Sequence, residues 1–211
     1  MTYDLLVKNG TVVDGSGSSG YRADVGIIDG KIAAIGRINE GAKQTIEADG
    51  HIVSPGFVDG HTHMDAQIFW DPIGSCSCYH GVTSVVMGNC GFTLAPCKQE
   101  DADMVFRNLE RAEDLSRDAM LEGIDWRWET FPEFLDVIDE LPKGINYAGY
   151  IGHSALRTYV MGERAFSDAA SEDDVRNMQQ LVKQAVQAGA IGFSTSRTFN
   201  HLTADDRPVA S

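Results

Sequence analysis

The strongest constraint on the fold is an alternation of short apolar segments with helical segments that begins at residue 55. The run 82–87, VTSVVM, is continuous and rich in β-branched residues, which predicts a buried strand. Three further segments are strand candidates on the same grounds: 56–60, 146–151 and 190–193. Continuous apolar strands separated by helices are typical of a parallel sheet with helices outside it. We therefore predict an α/β fold for residues 55–211.

The helices between these strands are marked by their caps and their apolar faces. Ser171 with Asp174 three residues later predicts a helix start, and Gly189 predicts its end. The apolar stripe of this helix comprises Val175, Met178, Leu181, Val182, Ala185 and Val186. A second helix is predicted to start near Thr130, with Pro132 and Glu133 in its first turn. A third is predicted through Val105, Leu109, Ala112 and Leu115.

Residues 1–54 have the pattern of a small β-sheet. Two dipeptides, Asn9-Gly10 and Asp29-Gly30, each lie between apolar segments and predict hairpins with type I′ turns. The segment 46–52 supplies further strand and is broken by Asp49-Gly50. So few short strands need another layer to pack against.

Four strands of the strand–helix type are half of an eight-stranded barrel. A complete barrel takes roughly 250 residues, whereas the sequence has 211 residues in all. We therefore expect this chain to be truncated, or to pair with a second chain or C-terminal portion that completes the barrel.

Composition excludes several classes of function. The formal net charge of −14 argues against nucleic-acid binding, because phosphate contacts need Lys and Arg. The sequence has no apolar run of the ~18 residues that cross a bilayer and no signal peptide, so we expect no membrane association and a cytoplasmic location. The four cysteines are expected to be thiols or metal ligands rather than disulfides.

The sequence GFVDGHTHMD at 56–65 and the sequence GVTSVVMGNCG at 81–91 carry the strongest chemical signal. His61 and His63 follow the first strand and are two residues apart, so an extended backbone places both imidazoles on one face. Cys90 follows the next strand, between Gly88 and Gly91. Because neighbouring strand ends share one mouth of a barrel, Cys90 can face both histidines. Imidazole and thiolate together suit a divalent metal such as Zn²⁺, although a buried structural cysteine remains an alternative.

These motifs resemble the D-aminoacylase (N-acyl-D-amino-acid deacylase) family of the amidohydrolase superfamily. The resemblance rests on DLLVKNGTVVDG at 4–15, GKIAAIG at 30–36, PGFVDGHTH at 55–63, HGVTSVVMGNCGF at 80–92 followed by Ala95-Pro96, GHSALR at 152–157 with VMG at 160–162, and GFST at 192–195. It covers the whole chain but only the N-terminal part of the family's length. It implies a metal-dependent (β/α)₈ TIM barrel over 55–211, preceded by a small β-sandwich segment over 1–54.

The resemblance also implies roles for particular residues. It makes His61, His63 and Cys90 ligands of a divalent metal, with zinc the expected ion. It implies no catalytic residue within this chain, because the family's catalytic Asp and two further metal-binding histidines belong to later strands, beyond Ser211. His201 lies too early in the chain for those strands and is left unassigned, and Asp65 is expected to be a structural partner of the site.

His153 and Arg157 lie at the end of the third predicted strand. They are candidates for substrate binding, because Arg suits bidentate contact with a carboxylate. The alternative is that they anchor the loop below the site.

The resulting hypothesis is a metal-dependent amide hydrolase that deacylates N-acyl-D-amino acids or related N-acyl amines through a metal-activated water. A cyclic-amide hydrolase of the dihydropyrimidinase or hydantoinase type is one alternative, disfavoured because the fourth strand is followed by Ser194-Thr195-Ser196-Arg197 and no lysine. The other is a non-catalytic half-barrel that needs a second chain, and this fragment alone is expected to be inactive.

Overall fold

The structure is a computed structural model that describes residues 2–111, 113–203 and 206–210. The chain separates into two units, Met1–Gly56 and Phe57–Ser211. No helix among the described residues is both long and apolar enough to cross a bilayer.

The first unit is a single five-stranded mixed sheet. Its strands are β1 (Tyr3–Val12), β2 (Tyr21–Ile28), β3 (Lys31–Gly36), β4 (Ala42–Glu47) and β5 (Ile52–Val53). The order is β3-β2-β1-β4, and β5 also pairs with β1. β1 runs antiparallel to β2 and parallel to β4 and β5. The second layer of the implied β-sandwich stays a prediction.

One of the two predicted hairpins is wrong. Asn9-Gly10 lies inside β1 as a β-bulge, where the register against β2 shifts between Val7 and Gly10. A type I′ turn needs positive φ at both central residues, but here only Asn9 has it, at 61°. Asp29 and Gly30 both have positive φ, at 50° and 69°, and the hairpin between β2 and β3 is confirmed.

The second unit contains the predicted parallel sheet, which is confirmed. Its strands are β6 (Phe57–Asp59), β7 (Val82–Met87), β8 (Asn146–Gly152) and β9 (Gly192–Ser194), in the order β6-β7-β8-β9. All three pairings are parallel, which gives the sheet of a half-barrel. The expectation that the first strand is buried is wrong, because Phe57 and Val58 on the edge strand β6 are 64 % and 69 % exposed.

Six α-helices accompany this sheet within the described residues: α1 (Ser75–Cys78), α2 (Ala102–Glu110), α3 (Arg117–Gly123), α4 (Phe131–Glu140), α5 (His153–Met161) and α6 (Glu172–Ala188). The helix starts predicted at Thr130 and Ser171 are both confirmed, each with a capping box, and Gly189 ends α6 as expected.

The predicted helix through Leu115 is too long. α2 ends at Glu110, Asp114 has a positive φ of 56°, and Ser116 caps the separate helix α3 by accepting a hydrogen bond from the Ala119 N–H. Ala112 lies outside the described residues. The helix α5 was not predicted, because its apolar residues continue directly from the strand β8.

The main core of the second unit lies between the sheet and the helices. Large buried side chains from β7, β8, the helices and the turn after β7 meet there, including Met87, Phe92, Phe106, Phe134 and Ile151. This core supports the carboxyl ends of β6 and β7, where the candidate site lies.

Candidate metal centre

The backbone beyond β6 presents two imidazoles on the same side. Thr62, between the two histidines, donates hydrogen bonds from its N–H and its hydroxyl to the Val86 carbonyl of β7, at 2.9 and 2.8 Å. Alternate residues of an extended segment face opposite ways. With Thr62 facing β7, the side chains of His61 and His63 therefore both lie on the other face. Their ring centroids are 5.4 Å apart.

A strained turn after β7 brings a thiol to the same place. Gly88, Cys90 and Gly91 all have positive φ, at 76°, 57° and 89°. The Asn89 side chain ties this turn to the first loop by donating to the Thr62 carbonyl at 3.2 Å. The Cys90 Sγ lies 3.4 Å from the His61 Nε2. One donor atom from each of His61, His63 and Cys90 lies within 4.8 Å of the others.

The buried carboxyl group of Asp65 contacts the backbone of the turn that carries Cys90. Asp65 is 1 % exposed, and its Oδ2 accepts a hydrogen bond from the Gly88 N–H at 3.0 Å. Burial raises the pKa of Asp65 to about 7. Asp65 thus joins the two loops that carry the histidines and the thiol, which is the structural role that the sequence indicated.

The protonation of the cluster suits metal binding. Burial, followed by the neighbouring His61 and His201, lowers the pKa of His63 to about 4, so its imidazole is neutral near pH 7 and keeps a lone pair. Burial, followed by the nearby Glu113 carboxylate, raises the pKa of the Cys90 thiol. A bound cation would therefore displace a proton from this thiol, as metal–thiolate formation generally does.

The residues present fit a zinc-type ion. Two imidazole nitrogens and a thiolate sulfur are the donors that borderline divalent transition metals prefer. Zinc bonds of ~2.1 Å to nitrogen and ~2.3 Å to sulfur place two ligands of one ion no more than ~4.4 Å apart. The donor atoms here lie within 4.8 Å of one another, so they need to move together by at most a few tenths of an ångström. The buried His63 Nδ1 has no hydrogen-bond partner in the described structure, so this ring is not fully satisfied by protein groups.

Two side chains that the sequence analysis did not assign to the site also lie beside the cluster of His61, His63 and Cys90. Glu113, in the loop between α2 and α3, lies 3.0 Å from the His63 Nε2 through its Oε2. His201, in the loop after β9, has its Nε2 4.0 Å from the Glu113 Oε1. The position of His201 after the fourth strand was a usable signal, because that strand end faces the same mouth. No sequence signal distinguished Glu113, because it lies among many acidic residues of a long connection.

The two candidate substrate-binding residues lie on α5, His153 at its first position and Arg157 one turn later. The His153 Nδ1 is 3.0 Å from the Thr195 hydroxyl, which links the ends of β8 and β9. Arg157 donates to the carbonyls of Ala165 and Asp168 at 3.0 and 2.9 Å. These contacts of Arg157 are those of the loop-anchoring alternative, and a substrate role for either residue stays a prediction.

The chain thus has a parallel half-barrel sheet with potential metal ligands at the carboxyl ends of its strands, and its sequence matches a known family. Residues 44–210 match the model of the Amidohydrolase family, and the chain belongs to this family.

Within that family the similarity to D-aminoacylases expected from the sequence is confirmed. The chain is 37 % identical over 194 residues to a D-aminoacylase of Alcaligenes xylosoxydans xylosoxydans, covering 92 % of this chain and 37 % of that protein. A crystal structure of D-aminoacylase superposes with a TM-score of 0.77 at 33 % identity, covering 97 % of this chain and 41 % of the other.

A second solved relative was crystallised with a metal and an inhibitor. It is the N-acyl-D-glutamate deacylase of Bordetella bronchiseptica, in complex with zinc and a phosphonate that mimics the tetrahedral intermediate. It superposes with a TM-score of 0.77 at 31 % identity, over 92 % of this chain and 38 % of the other. The chain spans between about a third and two fifths of the length of these relatives.

Proposed function

We propose that the protein is a metal-dependent amide hydrolase that deacylates N-acyl-D-amino acids or related N-acyl amines. The observation that carries this proposal is the convergence of donor atoms from His61, His63 and Cys90 at the carboxyl ends of β6 and β7. Barrel enzymes place their chemistry at that end of the sheet. The names of the similar deacylases support the substrate class.

His61, His63 and Cys90 would hold a divalent ion, with zinc the expected one. When bound, such an ion supplies Lewis-acid polarisation of the amide carbonyl and lowers the pKa of a water molecule. Asp65 and Asn89 keep the two ligand-bearing loops in register through their hydrogen bonds to Gly88 and Thr62. The general acid that protonates the leaving amine is expected to be the catalytic Asp that the resemblance implies on a later strand, and further metal ligands are expected on later strands as well.

The cyclic-amide alternative has less support. The chain has no lysine at the end of β9, where that type of enzyme is expected to carry one. The Ser194 hydroxyl instead accepts a hydrogen bond from the Gly91 N–H at 3.1 Å, so the end of β9 buttresses the Cys90 turn. Relatives named hydantoinases also match this chain but are more distant than the deacylases.

Replacement of Cys90 by alanine tests the proposal. The full-length protein is stripped with a chelator, reloaded with Zn²⁺, and assayed for bound metal by mass spectrometry and for deacylation of N-acetyl-D-amino acids. We expect C90A to lose at least tenfold in zinc affinity and in activity, because loss of a supporting group alone costs about 10–100-fold. The control is C76S, which removes an exposed thiol outside the cluster.

Undiminished metal content and activity in C90A would remove Cys90 from the site. Hydrolysis of hydantoin in preference to N-acyl-D-amino acids would favour the cyclic-amide alternative. Metal binding without hydrolysis of either substrate would favour a non-catalytic half-barrel.

A further inference from the structure

We propose that Arg157 and Arg197 together form a binding site for a carboxylate group. The two side chains line a cavity of about 460 Å³ between the helix α5, the turn that follows it and the segment after β9. That volume lies within the ~300–1,000 Å³ that is usual for small-molecule sites. The residues that line the cavity do not include His61, His63 or Cys90, so it is separate from the candidate metal centre.

One face of α5 carries the first arginine together with a histidine. His153 and Arg157 are four residues apart in this helix, so both side chains lie on the same face, ~6 Å apart along the axis. The His153 Nδ1 is 3.0 Å from the Thr195 hydroxyl. This contact fixes the position of the helix face against the segment that follows β9.

The segment after β9 carries the second arginine at a matching spacing. The hydroxyls of Ser194 and Ser196 both bind the backbone of the turn that carries Cys90. Because side chains alternate along extended backbone, Thr195 and Arg197 face the other way, and two residues of such backbone span ~6.6 Å. The contact at Thr195 therefore brings the two arginines to the same cavity, which both of them line.

The two guanidinium groups lack neutralising partners. Within the described part of the chain neither Arg157 nor Arg197 forms an ion pair. The Arg157 Nη2 donates to the carbonyls of Ala165 and Asp168, but its buried Nε has no hydrogen-bond partner there. Burial, and then the nearby charge of Arg197, lower the pKa of Arg157. Two positive charges that are held close together in this way are stabilised by an anion between them.

The carboxylates around the cavity do not neutralise the arginines. Asp168 lines the cavity, but its Oδ1 accepts a hydrogen bond from the Ser167 hydroxyl at 2.8 Å, and only its backbone carbonyl contacts Arg157. Asp174, which also acts on the charge of Arg157, is paired with Arg164 at 3.1 Å. Two positive charges and one negative charge at the cavity leave a net attraction for one further negative charge.

Charge and donor geometry together select a carboxylate. Arg197 is exposed, and its planar guanidinium suits two parallel hydrogen bonds to the oxygens of one carboxylate. Arg157 is held by its loop contacts and adds a fixed positive charge. A carboxylate carries the single negative charge that balances the cavity, whereas a phosphate carries more. The carboxylate can belong to an N-acyl amino acid or to a free acid; the first of these sources rests on the proposed function, and the site itself does not.

Binding to the metal-free full-length protein tests the site. Titration calorimetry compares acetate, N-acetyl-D-leucine and the uncharged carboxamide of N-acetyl-D-leucine. We expect R157Q and R197Q each to weaken binding of the two carboxylates at least about tenfold, because a hydrogen bond to a charged group is lost. Binding of the carboxamide should not change in either variant. The matched control is R37Q, which removes an exposed arginine of the first unit and should bind as the unaltered protein does.

Kinetics of the zinc-loaded protein distinguish the two sources of the carboxylate. A higher KM for N-acetyl-D-leucine in R197Q, with kcat unchanged, assigns the site to the carboxylate of the substrate. Weaker acetate binding in R197Q, with KM unchanged, assigns it to a free acid. Both results support the site.

Two results would overturn it. One is equal binding of both carboxylates by R157Q, R197Q and the unaltered protein, and the other is no measurable binding of either carboxylate by the unaltered protein. Because the calorimetry needs neither metal nor hydrolysis, failure of the proposed function leaves this test intact. Circular dichroism shows whether each variant is folded, and R197Q changes an exposed side chain, so it carries the test if R157Q does not fold.

Discussion

Cys90 occupies a backbone conformation that side chains rarely adopt, with φ at 57° between two glycines that also have positive φ. A non-glycine residue held there costs about 1–3 kcal/mol, and such strain concentrates at functional sites. The turn is held by Asp65, Asn89 and Ser194 through hydrogen bonds to its backbone or its neighbours. In this conformation the Cys90 thiol faces the imidazoles of His61 and His63 at the end of the adjacent strand β6.

The close approach of β8 to this turn gives a test at a single residue. A Cβ atom on Gly152 would lie 2.3 Å from the Gly91 carbonyl oxygen, so G152A must displace the backbone that carries Cys90. We expect G152A to destabilise the protein by about 1–3 kcal/mol and to weaken zinc binding. Urea unfolding and a zinc titration measure the two effects.

Gly149 in the same strand provides the matched control. A Cβ atom on Gly149 would meet its nearest neighbour, the Phe131 ring, at 3.7 Å, which is ordinary van der Waals contact. G149A should therefore leave zinc affinity unchanged. Equal zinc affinity in G152A and G149A would show that the packing of β8 does not position the turn.

At the level of elements, the first turn of α6 joins local capping to a tertiary ion pair. The Asp174 Oδ2 accepts a hydrogen bond from the Ser171 N–H at 2.9 Å, and its Oδ1 lies 3.1 Å from the Arg164 Nη2. The hydrogen bond from Arg164, followed by those from Ser171, lowers the pKa of Asp174 from 3.8 to about 2. The cap was predictable from Ser171 and Asp174, but the partner Arg164 was not, because it lies in a separate turn.

The lowered pKa predicts a pH-dependent contribution of Asp174 to stability. Because the folded state holds the carboxylate more strongly than the unfolded state, this contribution is present above pH 4 and is lost as the pH falls from about 4 to about 2. D174N should be less stable than the unaltered protein at pH 6, and the difference should shrink through that window. Urea unfolding at a series of pH values measures it.

Glu172 in the same turn is the control position, because its side chain is 93 % exposed. E172Q should follow the unaltered protein closely at each pH. A stability difference for D174N that stays constant down to pH 2 would contradict the role given to the ionised carboxylate.

On the scale of the whole molecule, the parallel sheet of the second unit ends in two apolar edges. Phe57 and Val58 of β6 are largely exposed, and Phe193 on β9 is 45 % exposed. An edge strand with exposed apolar side chains and unpaired backbone groups is a surface on which chains associate.

This exposure predicts self-association of the 211-residue chain, which a charge on the edge should reduce. We expect V58K to lower the fraction of oligomer seen by size-exclusion chromatography with light scattering, because lysine on an edge strand opposes pairing. T83K adds the same charge at an exposed position of the inner strand β7 and should associate as the unaltered chain does. Equal oligomer fractions in V58K and T83K would show that this edge is not the contact surface.

The sequence by itself determined the features that depend on neighbours along the chain. Alternating apolar segments predicted the parallel strands, caps at Thr130 and Ser171 predicted helix starts, and the two motifs after β6 and β7 predicted three donor groups at one end of the sheet. Local backbone geometry accounts for this, because side-chain direction in a strand and hydrogen bonding in a first turn involve residues only a few positions apart.

Only the tertiary structure decided what joins that site from elsewhere. Asn9 became a bulge because β1 continues along β2, and Glu113 and His201 came together because two long connections fold over the same strand ends. Loop conformations depend on contacts with residues far along the chain, so their side chains carry no periodic pattern that identifies a partner. The position of the Glu113 carboxylate beside His63 and His201 was therefore decided by the packed fold.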